Sequence, residues 1–274
     1  MARYAFDIIK DYEQRFSRFL PASELSQLNR TGALAVSAEF IEVFKLSQKL
    51  AKLTANNFNP LVQIKTLGYT RPYQQLTTKS PSAPENTPAY DTDLSQCRLD
   101  NKTSHLTIGV NQQLDFGGIL KGYLAGKLAD DLMATHHTCT GCIINIGGDL
   151  ATRGMDELHQ PFIFNLYNPV TGTELPVTVT NQSLATSGTY ARQWTTANGT
   201  KHHIVDSKTQ QNPTTDLVAV SIIAKDGALT EALTKLFITR GVKEALDLVP
   251  PHIHHYQYFA VTSDGQTTST IPTI

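Results

Sequence analysis

The sequence predicts an α+β architecture, and three observations carry that reading. Helix-period and strand-period segments occur in both halves of the chain, without the regular strand–helix alternation of a dinucleotide-binding sheet. No fixed-period repeat points to a solenoid or propeller. The 274 residues are 40% hydrophobic and only 17% charged, a globular composition with a sizeable core, whose surface polarity falls to Thr, Ser, Gln and Asn.

Taken in order, residues 4–20 read as a helix, and Pro21-Ala22-Ser23-Glu24-Leu25 as a turn with Ser23 capping a short second helix. Phe40, Val43, Phe44, Leu50 and Leu53 recur at helical spacing and predict a core-facing helix over 39–53. Four prolines among Gln, Thr and Ser mark 71–93 as a long surface loop able to act as a lid. Residues 105–110 and 142–146 are strand-like, and a helix from Gly118 to Ala134 lies between them. Strands follow at Phe162–Tyr167, Val177–Thr180, His203–Val205 and Val218–Ala224, then helices over Ala228–Thr239 and Lys243–Leu248, and a last strand near Tyr256–Thr262. The chain is expected to be one domain over 1–274, with lobes of roughly 1–150 and 151–274 that have the look of a diverged duplication.

Composition removes several functions. Twenty-three Lys and Arg against 24 Asp and Glu leave a net charge of −1, which draws in neither nucleic acid nor an anionic membrane. No apolar run reaches the ~18 residues of a membrane span, and the N-terminus lacks the regions of a signal peptide, so a cytoplasmic protein is expected. Cys97, Cys139 and Cys142 are too few for a disulfide framework, and the Cys139-x-x-Cys142 pair runs into a buried strand rather than the helix that redox chemistry wants. His252, His254 and His255 lack a carboxylate or cysteine to complete a metal site.

The chemistry concentrates at glycine-rich turns. Asp115-Phe116-Gly117-Gly118-Ile119-Leu120-Lys121-Gly122 opens a helix, where free N–H groups suit a phosphate. The glycines alone are better explained by a tight strand-to-helix turn with no ligand. Lys121 adds weight, because a cation in the first helical turn opposes the helix dipole unless negative charge lies nearby. Asn145-Ile146-Gly147-Gly148-Asp149 is a second such turn, and by itself is also a hairpin. Ala185-Thr186-Ser187-Gly188-Thr189-Tyr190 lacks the glycine frame of a nucleophile elbow. His203, in His202-His203-Ile204-Val205-Asp206, is either a general base or a strand histidine.

These motifs, together with Phe16-Ser17-Arg18-Phe19-Leu20-Pro21-Ala22-Ser23-Glu24-Leu25-Ser26-Gln27-Leu28-Asn29 and Phe58-Asn59-Pro60, occur in the order seen in the FAD:protein FMN transferases, the ApbE family, which the chain resembles over residues 9–241. The resemblance implies a T-fold-like scaffold of two interlocked lobes with FAD in the cleft between them. It implies a reaction in which a Thr or Ser hydroxyl of a target flavoprotein attacks the FMN phosphorus and AMP leaves. It assigns His203 as base, and Phe19, Asn57, Phe58, Asn59, Asp115, Gly117, Lys121, Ser187 and Val205 as FAD-contacting positions. For magnesium it implies the Gly118 carbonyl, Glu231 and Thr234.

The chain departs from the family where that metal would sit. The family's A-D-A-L-A-T reads Thr230-Glu231-Ala232-Leu233-Thr234-Lys235, with Glu for Asp and Lys235 where an oxygen ligand stands. Asn59 replaces the Asp of F-D-P, and Asp206-Ser207-Lys208-Thr209-Gln210 replaces D-P-R-T-G. Two alternatives follow: a flavin-binding relative without transfer, and a pyrophosphatase releasing FMN and AMP from FAD.

Overall fold

A computed structural model describes residues 2–69, 90–196 and 199–272. Most of the 71–93 segment lies outside the described residues. The chain divides into two compact units, one of residues 1–116 and 192–212, the other of 117–191 and 213–274. Both are discontinuous in sequence, and residue 150, where the two lobes were expected to part, falls inside a strand of the second.

The first unit opens with helices α1 (Ala2–Phe16) and α2 (Glu24–Thr31), followed by β1 (Ala33–Ala35), α3 (Ala38–Leu53), β2 (Arg98–Asp100) and β3 (His105–Thr107). Ser23 caps α2 as its position predicts, its Oγ accepting from the Ser26 N–H at 3.0 Å. Gly32 ends the helix in the left-handed region at φ 77°. The apolar face of α3 is buried through Phe40, Val43, Phe44 and Leu50. Phe16, Phe40 and Phe116 pack with ring centroids 5.2 to 5.8 Å apart. The Asn29 side chain bonds both backbone groups of Leu114, accepting at 2.7 Å and donating at 2.8 Å.

In the second unit, α4 (Leu120–Thr135) is followed by β4 (Gly141–Ile146), β5 (Asp149–Gly154), β6 (Phe162–Tyr167), β7 (Glu174–Val179) and β8 (Ser183–Gly188). The chain then returns to the first unit for the hairpin β9 (Gln193–Thr196) and β10 (Gly199–His202). Back in the second unit come β11 (Leu217–Ala224), α5 (Gly227–Leu248), β12 (Tyr256–Thr262) and β13 (Thr267–Ser269). An antiparallel sheet runs in the order β13-β12-β11-β8-β5-β4. Period-2 alternation sorts its faces. Leu150, Leu184, Ile223, Phe259 and Val261 join Leu166, Val177 and Val179 of the β6–β7 hairpin in one cluster, while Ala151 packs on Ala125 and Ala129 of α4.

Two expectations change. The two helices read over 228–248 are one helical run, α5, broken where Gly241 takes φ 76° and ψ 163°. His203–Val205 is not a strand: β10 ends at His202, and the next residues are irregular. The reason lies in Asn212, whose amide donates to the carbonyls of His202 and Ile204, both at 2.7 Å, taking the acceptors that a ladder would need.

Candidate active site

The first turn of α4 explains the second unit's charged cluster. Ile119 precedes the helix and has no side chain able to cap it. The missing acceptor comes from α5: Glu231 Oε2 accepts the Gly122 N–H at 2.9 Å. Such an approach needs both helices bare, and they are, since a Cβ on Gly122 would fall 2.2 Å from the Gly227 carbonyl oxygen. Glu231 is fully buried. Its other oxygen, Oε1, lies 3.1 Å from Lys121 Nζ and 3.7 Å from Lys235 Nζ. Lys121 also pairs with Asp149, which is buried at the start of β5. Burial alone raises the Glu231 pKa, but the charges of Lys121 and Lys235 and the Gly122 N–H outweigh it and hold the carboxyl below its ordinary value. The negative charge that Lys121 calls for at a helix N-terminus is therefore supplied by the protein's own carboxylates.

The implied magnesium set does not fit this arrangement. Thr234 Oγ1 donates to the Glu231 carbonyl at 2.7 Å and accepts from Ser187 Oγ at 2.7 Å, so its hydroxyl is committed within the core. Glu231 already faces two ammonium groups and an N–H donor. Lys235 brings a positive charge where a divalent ion needs oxygen. Among the described residues, no three His, Cys, Asp or Glu side chains are grouped to hold a metal.

In the first unit, a cavity of about 400 Å³ is lined by residues that include Arg18, Phe19, Arg30, Lys65, Tyr69 and Gln113. The Arg18 guanidinium carbon lies 4.6 Å from the Phe19 ring centroid and 4.8 Å from that of Tyr69. Asp115 lies 3.5 Å from the guanidinium. Behind Tyr69 stands Trp194, its ring centroid 5.3 Å away and its Nε1 donating to the Leu67 carbonyl at 2.7 Å. Leu67 and Val205 complete this cluster. Three cations around two aromatic faces suit a flat ligand that carries negative charge.

His203 sits half-buried between the two residues whose carbonyls Asn212 holds. Its neighbour His202 accepts the Ile204 N–H on Nδ1 at 3.3 Å, and burial followed by the Lys201 charge pushes its pKa down to about 4. His202 is thus a neutral structural residue near pH 7.

The sequence-predicted positions divide between the units, with Phe19, Asn57, Phe58, Asn59, Asp115, His203 and Val205 in the first and Gly117, Gly118, Lys121, Ser187, Glu231 and Thr234 in the second. Phe19, Gly117 and Lys121 are at least partly exposed. Others are committed inward. Phe58 is buried, and Asn57 is buried with its amide donating to the Thr54 carbonyl at 2.8 Å. Asn59 pins backbone, accepting from Leu61 N at 2.9 Å and donating to the Thr92 carbonyl at 2.9 Å. Ser187 is buried against Thr234. Sequence reasoning missed Tyr69, Arg18 as the group held over two rings, and Asn212. Only Asn212 carried a signal, the turn-forming Asn212-Pro213 pair.

The ApbE family profile matches residues 2–259. An FAD:protein FMN transferase of Klebsiella pneumoniae (strain 342) is 24% identical over 259 residues, spanning 89% of this chain and 77% of that protein. Another, from Treponema pallidum (strain Nichols), is 25% identical, spanning 89% of this chain and 72% of that protein. Among solved structures, the ApbE protein of Thermotoga maritima superposes with a TM-score of 0.83 at 20% identity, over 97% of this chain and 87% of that one. The apo flavinyl transferase ApbE of Pseudomonas stutzeri gives 0.80 at 19% identity, over 98% and 85%.

Proposed function

Because the chain belongs to the ApbE family, we propose that it takes FAD as substrate and transfers FMN to a Thr or Ser hydroxyl of a target flavoprotein, releasing AMP. The acceptor oxygen bonds to the flavin-side phosphorus, the bond from that phosphorus to the bridging oxygen breaks, and AMP leaves with the electron pair. His203 receives the hydroxyl proton. No step is assigned to magnesium, since the residues at its expected place do not suit it.

The observation that carries this reading is the first unit's cavity, where Arg18 lies over Phe19 and Tyr69 and Arg30 and Lys65 add positive charge. That chemistry matches a ring system bearing phosphates. Lys235 favours a second reading, a relative that binds FAD without transferring it, because the change falls on the family's metal.

Both are tested by incubating the protein with FAD and an acceptor flavoprotein domain, followed by intact-mass measurement and AMP analysis. Transfer gives an acceptor heavier by one FMN together with free AMP. FMN and AMP beside an unmodified acceptor indicate hydrolysis, and FAD recovered intact from the complex indicates binding alone. His203→Ala should lower transfer ~10²-fold or more while FAD affinity stays nearly constant. Loss of affinity without a separate rate effect would make His203 a structural residue.

A further inference from the structure

Two ammonium groups converge on one buried carboxylate oxygen in the second unit. Lys121 Nζ and Lys235 Nζ lie 3.1 and 3.7 Å from Glu231 Oε1, and their side chains remain 33% and 24% exposed above a Glu231 that has no exposure at all. Asp149 takes the other side of Lys121. With all four groups ionised, two positive charges balance two negative ones. A divalent ion entering here would meet a carboxylate that is already compensated and an ammonium within 4 Å of its ligand atom, where like charges repel strongly. Glu231 cannot turn away to make room, because its Oε2 caps α4 through Gly122.

We infer that Lys235 is a built-in counter-cation standing where a divalent metal would, so that the chain takes FAD without a divalent ion at Glu231. This rests on the proposed use of FAD. Lys235 reaches its place because Glu231 and Lys235 are four apart on α5 and so share one helical face. A lysine is a single charge on a flexible stem, unable to bridge two oxygens at fixed octahedral angles. Affinity without metal and a low transfer rate therefore have the same cause.

The test has two arms. In the first, manganese(II) alone is titrated into the intact protein and followed by electron paramagnetic resonance. The wild type should take up no manganese at this site, whereas Lys235→Thr should bind about one equivalent, and that signal should vanish in Lys235→Thr/Glu231→Gln. In the second, FAD affinity is measured in magnesium and in EDTA. The wild-type affinity should differ by less than about threefold between the two. Manganese uptake by the wild type that Glu231→Gln abolishes, or FAD affinity rising tenfold or more with magnesium, would overturn the inference. Should FAD not bind under either condition, the proposed substrate is wrong, while the manganese arm still decides whether Lys235 excludes the metal.

Discussion

Glu231 does two jobs with its two oxygens, and the consequence is a measurable stability. Replacing it by Gln leaves a neutral group facing two lysines and should cost about 3 kcal/mol in urea unfolding, the usual scale for removing one partner of a buried ion pair. The pH dependence has a definite sign. Since the folded pKa lies below the ordinary 4.5, this contribution is present above that value and is lost as the pH falls below it. His202 acts in the same direction over a higher range. Its pKa falls from 6.5 unfolded to about 4 folded, so unfolding takes up a proton between those values and stability declines as the pH drops through that window. His202→Gln should flatten the decline, and an unchanged pH profile of the urea midpoint would show that His202 is not the group titrating over this window. Asn212 holds the carbonyls on either side of His203. Asn212→Ala should lower kcat about tenfold with FAD affinity unchanged, and cost about 1 kcal/mol of stability for the lost hydrogen bonds. Equal falls in kcat and in FAD affinity would show a general loosening of the segment instead.

At the scale of elements, the α4–α5 contact decides where charge can gather. The Gly122 and Gly227 backbones touch, and either Cβ would land within 2.2 Å of a carbonyl oxygen of the other helix. Backbone cannot step aside as a flexible side chain can, so Gly122→Ala should cost about 3 kcal/mol, at the upper end for overpacking. It should also part Glu231 from the N-terminus of α4, leaving that helix end without its acceptor. Thermal unfolding of this variant beside Gly172→Ala checks the argument. Gly172 lies at an exposed turn with φ 74° and nothing within 4 Å of an added Cβ, so alanine there meets only backbone strain of about 1 kcal/mol. Equal losses in the two variants would remove the helix contact as the cause. The Gly147-Gly148 turn resolves differently from its ligand reading. With φ 63° and 100°, it is the tight link of the β4–β5 hairpin, which places Asp149 beside Lys121.

For the molecule as a whole, the order of residues along the chain is not the order of the compact units. Residues 192–212 belong with 1–116, and they bring Trp194 and Val205 to Leu67 and Tyr69. A fragment of residues 1–116 therefore lacks part of its core and should give the amide spectrum of an unfolded chain, whereas a chain retaining 192–212 keeps the cluster. Trp194 is the sole tryptophan of the sequence. Its fluorescence consequently reports on the first unit, and FAD entering the cavity beside Tyr69 should quench it. Quenching that survives Arg18→Ala and Tyr69→Ala together would place the flavin elsewhere.

Much of this protein is legible without coordinates. The helix over 39–53, the Ser23 cap and the strands at 162–167, 218–224 and 256–262 follow from periodicity and turn chemistry, because burying one face imposes its spacing on the sequence. The ordered motifs identify the family, and Lys121 at a helix N-terminus demands a negative neighbour on electrostatic grounds alone. The identity of that neighbour does not follow. Glu231 lies 110 residues away and arrives only because two glycines let α4 and α5 touch. Likewise the hydroxyls of Thr234 and Ser187 look available in the sequence, but in the fold Ser187 bonds Thr234 and Thr234 bonds the Glu231 carbonyl. Local sequence sets what a side chain can do; which partner consumes that capacity is a long-range property, fixed when the chain packs.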